Sequence, residues 1–452
     1  MHAKTKSDVV DVKALHRKRW AWYFYDFGNS AYAAVVLLAV YSAYFQGQVV
    51  GGARGSRLWG LSVGAAMFIV AAISPVLGAI ADFSRAKKEF LLGFTALSCV
   101  FTASLFFVGP GDIVIGILFF IIAEIGYRGG QVFYDALLPE IADAHDIGRV
   151  SGIGWALGSG GGVLCLLIIL PLIMIFEGPF MVRLSFVITA VYYAASAIPL
   201  FLIIKQDSLS APPKPEESYL VLGFRRIWST IKTARDYSEF LKFVASYIIY
   251  NSGVMMAMNF AAIIGAVLFG MDQTELIAFV ILVQVTNVAG AYLLGHLVDR
   301  VGAKPAMVLS ILLMVVAVAL MFLAQTMTFF FFVGALAGFA MAGIQSISRT
   351  MVGALTPAGR SAEFYGFFAV AGTISSVAGP AIYGDVAFRM ARWYQNIQGL
   401  SEFAAEQAGQ RTAVLAMGAA LLLGLGVLAS VSQARAKATY KLAVETPSSA
   451  TP

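Results

Sequence analysis

Gly78-Ala-Ile-Ala-Asp82-Phe-Ser-Arg-Ala86-Lys87 decides the fold, because it returns 217 residues later as Gly295-His-Leu-Val-Asp299-Arg-Val-Gly-Ala303-Lys304. Both copies read Gly-x3-Asp-x3-Ala-Lys, and both close a long apolar run. Two further matches keep the same order. Tyr25-x3-Asn29-Ser30 returns as Tyr247-x3-Asn251-Ser252, and Leu137-Leu-Pro139-Glu returns as Leu355-Thr-Pro357-Ala, 218 residues on. Three ordered matches at nearly constant offset predict a parallel duplication, two like halves in one chain.

Each half is composed for lipid. Of the 452 residues 59% are hydrophobic and 12% charged, against about 25% charged in a soluble domain. A helix needs roughly 20 apolar residues to cross a bilayer. Runs of that length recur at 21–46, 58–82, 89–108, 112–136, 149–175, 183–204, 239–269, 274–298, 304–324, 328–351, 360–385 and 411–432. The expectation is an all-α membrane protein of about 12 transmembrane helices in two six-helix parallel-repeat bundles. Its parts are an N-terminal segment 1–20, a first bundle 21–204, a linker 205–238, a second bundle 239–432 and a tail 433–452. The Gly379-Pro380 pair marks the eleventh span as the one to bend. Residues 386–410 read as a long connection.

Charge sets the expected orientation. Lys4, Lys6, Lys13, Arg17, Lys18 and Arg19 precede the first span, and Arg435, Lys437 and Lys441 follow the last. Basic residues beside spans stay on the cytoplasmic side, so both termini are expected there. The net charge of +6 is then a topology signal, and no nucleic-acid-binding module accompanies it. The first span is too long and too polar for a cleaved leader and is expected to act as an uncleaved anchor. In the linker, Pro212, Pro213 and Pro215 precede Phe224, Ile227, Trp228 and Ile231, which stand at helical spacing opposite Arg225, Arg226, Lys232 and Arg235. That pattern suits a helix lying on the inner membrane surface, or one packed on the ends of the bundle.

At this point the residues meet a family. The two Gly-x3-Asp-x3-Ala-Lys turns resemble the signature loop between spans two and three of the major facilitator superfamily, although the first copy, Phe83-Ser84-Arg85, lacks the glycine that Gly302 keeps in the second. Tyr25-Asp26-Phe27-Gly28-Asn29-Ser30-Ala31-Tyr32 looks like the D-x2-N-S-A-Y stretch of the unknown major facilitator family, which includes the autophagy-related vacuolar amino-acid effluxers. The resemblance implies alternating access by rocking of two halves, with amino-acid efflux as its best-known association. It implies a cytoplasmic membrane if the source is bacterial and a vacuolar membrane if it is fungal, and the short soluble loops favour the bacterial case. Gly379-Pro380 with Gly384 also resembles a Gly-Pro feature of the superfamily's antiporters, but in span eleven rather than span five.

Charges within a bilayer cost on the order of 3 kcal/mol at a helix centre on insertion scales, so a retained one carries a functional hypothesis. Glu124 and Arg128, four residues apart in span four, share a helix face with Tyr127 and Gln131 beside them. Asp26 lies about 10 Å into span one if that helix begins near Arg19, at roughly 1.5 Å rise per residue, and Asn29 lies deeper. The functional reading gives Glu124 and Arg128 to a charged solute, with Asn29, Tyr127 and Gln131 alongside, and gives Asp26 or Glu124 a coupling proton. A carboxylate kept out of water disfavours its charged form, which is the physical basis of such coupling. The structural reading makes Glu124-Arg128 a self-neutralising pair that fixes helix packing.

In the second half Asn251, Gln284 and Gln345 form a neutral counterpart, suited to hydrogen bonding a polar solute or to bridging helices. Asp82, Lys87, Asp299, Arg300, Lys304 and Arg349 sit at span ends, where charge-linked latches would break as the halves move. Cys99 and Cys165 fall inside spans and read as packing residues. Gly154, Gly158 and Gly162 lie four apart and admit a close helix, and no Gly-Lys-Ser/Thr follows them as a phosphate loop requires. Four scattered histidines and two apolar cysteines supply no enzyme's nucleophile, base or metal cluster. The expectation is therefore a proton-coupled transporter of a small polar solute, with no cofactor. Transport of sugars, or a sensor that kept the scaffold without transporting, are the alternatives.

Overall fold

The computed structural model describes residues 6–83, 86–142, 147–176, 178–204, 237–356, 361–433 and 435. Twelve helices in it are long and apolar enough to cross a membrane, and among the described residues helices and short turns are the only regular structure. We number them α1 Lys6–Tyr32, α2 Gly52–Phe83, α3 Lys87–Ser104, α4 Ile113–Ala136, α5 Ile147–Ile175, α6 Pro179–Ile203, α7 Ser238–Phe269, α8 Gln273–Val301, α9 Ala303–Leu323, α10 Met327–Ala354, α11 Ser361–Gln398 and α12 Glu402–Ala429. Helices are what lipid demands, since an unpaired peptide group has no water to bond there.

The surface follows the same logic. Phe68, Val114, Leu202 and Leu323 are exposed, while Asn29, Glu124, Asn251 and Gln410 are buried. Large apolar side chains face outward to a greasy solvent, and polar ones are kept for the interior. The chain is an integral, multi-pass membrane protein.

Two boundaries differ from the sequence reading. Span one does not stay α-helical: after Tyr32 it runs through a π-helical stretch Ala33–Ala39, a short α turn Tyr41–Tyr44 and a second π-helical stretch Phe45–Val50. Wide turns of this kind are frequent beside functional sites. Residues 386–410 are not a loop, because α11 continues through Pro380 to Gln398. The polar segment after residue 385 lacks proline, and Arg389 pairs back one turn to Asp385, which supports helix outside lipid. Gly399, at φ +66°, ends it, and the Ser401 hydroxyl caps the start of α12 by accepting from the Ala404 amide. Of the linker 205–238 only the last two residues are described, so its amphipathic helix lies outside the described residues, as do Pro357 and most of the tail 433–452.

The chain divides into two compact units. The first comprises residues 1–55, 65–223 and 271–281, the second 56–64, 224–270 and 282–452. Within the first, α1 packs on α5 and α6, and α3 on α4 and α6. Within the second, α7 packs on α11 and α12, and α9 on α10 and α12. The pairing scheme repeats six helices on, as a parallel duplication requires.

Aromatic side chains bind the first unit together. Trp22 stacks on Tyr134 at 4.3 Å between centroids, and its indole N–H donates to the Tyr134 carbonyl at 3.1 Å. Tyr25 is fully buried, and its hydroxyl bonds both Thr95 of α3 and Tyr193 of α6 at 2.8 Å. In the second unit the buried Tyr250 hydroxyl bonds Ser348 of α10 at 2.9 Å, and Tyr383 of α11 donates to Gln410 of α12 at 2.9 Å. Residues 56–64, the part of α2 that belongs to this unit, are held by Ser56, which accepts from Gln410 at 2.6 Å, and by Trp59, which donates to the Asn259 carbonyl at 2.9 Å.

Candidate functional site

The candidate site lies on α1 and α4 of the first unit. On α4, Arg128 Nε donates to Glu124 Oε1 at 2.8 Å, across one helical turn. Glu124 is buried, and the Arg128 side chain keeps a third of its surface exposed. Among the described residues Glu124 Oε2 is buried without a hydrogen bond of good geometry. The Arg128 guanidinium stands 5.0 Å from the centre of the Tyr127 ring, and the Tyr127 hydroxyl accepts from Gln131 Nε2 at 3.2 Å. The i, i+4 spacing read from the sequence therefore produces an ion pair, with an aromatic and an amide on the same face.

α1 supplies the facing groups. Asn29 is buried, and neither its amide nitrogen nor its amide oxygen has a partner that satisfies hydrogen-bond geometry. Three residues on, and so on the same side of the helix, Tyr32 stacks on Tyr127 at 4.7 Å between centroids. Its hydroxyl lies beside the Glu124 carboxylate and is likewise buried without a bond of good geometry. Buried polar groups are nearly always satisfied. Asn29, Tyr32 and Glu124 thus concentrate unmet hydrogen-bonding capacity where α1 and α4 face one another.

Asp26 stands one turn before Asn29. Its carboxylate and the Ser30 hydroxyl occupy the space that Gly158 of α5 leaves open, since a β-carbon there would collide with both. Among the described residues Asp26 has no cationic partner within ion-pair distance. The glycine spacing of α5 has the meaning expected of it: Gly154 meets Trp22, Gly158 meets Asp26, and Gly162 lies against Ser30 of α1 and Ala34 of the π-helical stretch that follows it. The tightest approach comes from Gly161, which meets the Phe27 backbone.

The second unit repeats the frame without the charge. Asn251 is buried with its amide oxygen unpartnered, as Asn29 is. Gln284 and Gln345 are half-buried on α8 and α10, and among the described residues no hydrogen bond joins either to Asn251. Where Gly158 leaves space in α5, Ser375 stands 217 residues later in α11 and donates to the Ile248 carbonyl at 3.1 Å.

The helix-end residues are differently employed. Lys87 Nζ bonds Glu140 at 2.8 Å and the Ala136 carbonyl at 3.4 Å, tying the start of α3 to the segment after α4. Lys304 Nζ bonds the Ala429 and Val431 carbonyls at 2.9 and 2.6 Å, capping the end of α12. Asp299, Arg300 and Arg349 are exposed, and the Arg349 carbonyl accepts from Tyr365. The Asp82 side chain lies outside the described residues.

Tyr32 is the residue that sequence reasoning left out of the site. Its signal was its place three residues after Asn29, within the stretch already singled out. No group of three or more His, Cys, Asp or Glu that could hold a metal occurs among the described residues.

Residues 60–389 match the family described as vacuole effluxer Atg22 like. The uncharacterized MFS-type transporter YxiO of Bacillus subtilis (strain 168) is 27% identical over 387 residues, covering 83% of this chain and 90% of that protein. Autophagy-related protein 22-1 of Penicillium rubens is 24% identical over 265 residues, 53% of this chain and 44% of that protein. Among solved structures, an inward-facing, unoccupied bacterial homolog of the human lysosomal transporter Spinster superposes with a TM-score of 0.69 at 14% identity, over 97% of this chain and 99% of that one. The nucleoside transporter NupG superposes at 0.61 and 14% identity, over 92% and 98%. At such identity these likenesses establish the fold alone, that of the major facilitator transporters.

Proposed function

The chain belongs to the vacuole effluxer Atg22-like family and is a secondary transporter of the major facilitator type rather than an enzyme, and from that premise we propose that its solute is a small zwitterion, an amino acid, moved by alternating access and coupled to protons. The observation that carries this reading is the half-satisfied pair on α4. Glu124 gives one oxygen to Arg128, and among the described residues its Oε2 makes no hydrogen bond of good geometry. Arg128 gives Nε to Glu124, and among the described residues its other nitrogens make no hydrogen bond.

A carboxylate can only accept and a guanidinium can only donate. A solute that satisfies both must offer a cation to Glu124 and an anion to Arg128 within a few ångströms, as an α-amino acid does. Arg128 can also take a carboxylate in a two-pronged grip. Asn29, Tyr127 and Gln131 complete the polar lining, and within the second unit Asn251, Gln284 and Gln345 are the proposed solute contacts.

Asp26 is the proton carrier in this proposal, with Glu124 second, because Glu124 is engaged by Arg128 and Asp26 has no cationic partner among the described residues. Lys87, Lys304, Asp82, Asp299, Arg300 and Arg349 act at the helix ends as the halves exchange conformation, and both termini lie in the cytoplasm of a bacterial cell. The name of the fungal relatives, autophagy-related protein 22, and the effluxer description of the family favour outward movement of the solute.

The test is uptake of labelled amino acids, short peptides and sugars into proteoliposomes, with and without an imposed pH gradient. Gradient-driven accumulation of amino acids, abolished in Asp26→Asn and Glu124→Gln while both variants stay folded, is the expected result. Accumulation of sugars alone, or wild-type pH dependence in both variants, would overturn the assignment.

A further inference from the structure

We infer that Tyr32 is a specificity-determining residue, forming with Glu124 and Asn29 a subsite that accepts a primary ammonium group and rejects its N-methylated forms; this rests on the zwitterion reading above. Three buried oxygens carry the argument. Among the described residues Glu124 Oε2, Tyr32 Oη and Asn29 Oδ1 make no hydrogen bond of good geometry, though the Tyr32 hydroxyl lies beside the Glu124 carboxylate and Asn29 beside Asp26, and all three side chains are nearly or completely shielded from solvent. Tyr32 stacks on Tyr127, one helical turn from Glu124 on the same face of α4, and Asn29 precedes it on the same side of α1. The Tyr32 hydroxyl and the Glu124 carboxylate thus lie side by side, with Asn29 one turn earlier along α1; the hydroxyl oxygen and the carboxylate oxygens each keep a lone pair for a further donor.

A primary ammonium offers three N–H donors and no acceptor. Three acceptors meet three donors, and the negative charge of Glu124 matches the cation. Each methyl added to nitrogen removes one donor and leaves one buried oxygen unsatisfied, a loss comparable to about tenfold in affinity. A trimethylammonium has no donor left and also brings bulk.

The aromatic pair offers a competing reading. Two stacked tyrosines can attract a quaternary ammonium through their ring faces. The two readings predict opposite orders along one series of ligands, which makes the choice experimental.

The experiment uses purified full-length protein in nanodiscs. Binding is measured calorimetrically for alanine and leucine, each as the primary amine, the N-methyl derivative and the N,N,N-trimethyl derivative. Wild-type affinity should fall about tenfold with the first methyl and at least about a hundredfold for the trimethyl form. Tyr32→Phe keeps the ring on Tyr127 and deletes only the hydroxyl. It should weaken the primary amine about tenfold, leave the trimethyl form unchanged, and so narrow the ratio between them. Asn29→Leu should narrow it similarly, and an unchanged unfolding temperature would show that both variants keep the fold.

A flat methylation series, or an undiminished ratio in Tyr32→Phe, overturns the subsite while leaving the zwitterion reading intact. Tighter binding of the trimethyl form overturns it in favour of an aromatic cage. If neither amino acid binds in any form but other amino acids drive gradient-dependent uptake, the same series is run on the transported one: a ratio narrowed by Tyr32→Phe upholds the subsite, and an unchanged ratio overturns it. If no zwitterion binds or is transported, the zwitterion reading itself falls, and the subsite with it.

Discussion

α1 with α5 in the first unit and α7 with α11 in the second are the same pair of helices built twice, and they differ at the position where chemistry enters. In the first, Gly158 gives up its side chain so that the Asp26 carboxylate can lie against α5. In the second, Ile248 stands in the aspartate's place after Tyr247, and Ser375 fills the glycine's place with a hydroxyl bonded to the Ile248 carbonyl. One frame leaves room for a charge, the other closes the room with a hydrogen bond. The same contrast holds on α4 and α10, where Arg128 corresponds to Gln345, 217 residues on. The two copies share the buried Asn29 and Asn251, and at the compared positions only the first copy carries charge.

The largest expected effect is on the ion pair. Arg128→Ala leaves Glu124 buried and uncompensated and should cost on the order of 3 kcal/mol in thermal unfolding of the purified protein. Gln345→Ala, at the counterpart position, should stay within about 1 kcal/mol. Equal losses would break the comparison, since they would mean that Glu124 is satisfied by something other than Arg128.

Gly158→Ala comes next. Its methyl would displace the Asp26 carboxylate, and gradient-driven uptake should drop at least about tenfold. Ser375→Ala removes one buried hydroxyl bond and should cost about 1 kcal/mol of stability with uptake preserved. Normal coupling in Gly158→Ala would separate Asp26 from the proton.

Tyr25→Phe and Tyr250→Phe probe the shared frame. The first abandons two hydroxyl partners, Thr95 and Tyr193, and the second only Ser348. Losses of roughly 2 and 1 kcal/mol are expected, and a reversed order would place more of the fold's stability in the second unit's tyrosine than its contacts indicate.

The smallest effect distinguishes the repeated lysines. Lys87→Met should cost less than about 1 kcal/mol, with the difference fading in about 1 M salt, because its partner Glu140 is a partly exposed charge. Lys304→Met removes a cap on two backbone carbonyls, and its similar cost should persist in salt. A salt-sensitive Lys304 would show that it too answers to a carboxylate.

Some of this was determined by sequence alone. Apolar length forces helix in lipid whatever the neighbours are, so twelve spans could be counted directly. The i, i+4 spacing of Glu124 and Arg128 puts them on one face through helix geometry alone, so their pair was legible, as was the close approach at the spaced glycines of α5. Tertiary structure decided the rest. Tyr32 joins Tyr127 and Glu124 across two helices, and no spacing within one helix states which tyrosine on α1 will meet which ring on α4. The π-helical turns after Tyr32 are a compromise between local hydrogen bonding and packing that composition does not mark. The assignment of residues 56–64 to the second unit and 271–281 to the first likewise depends on which side chains fit together in space. Local geometry and solvent act on each segment separately and can be read from it; partnership between distant segments is settled only when their surfaces meet.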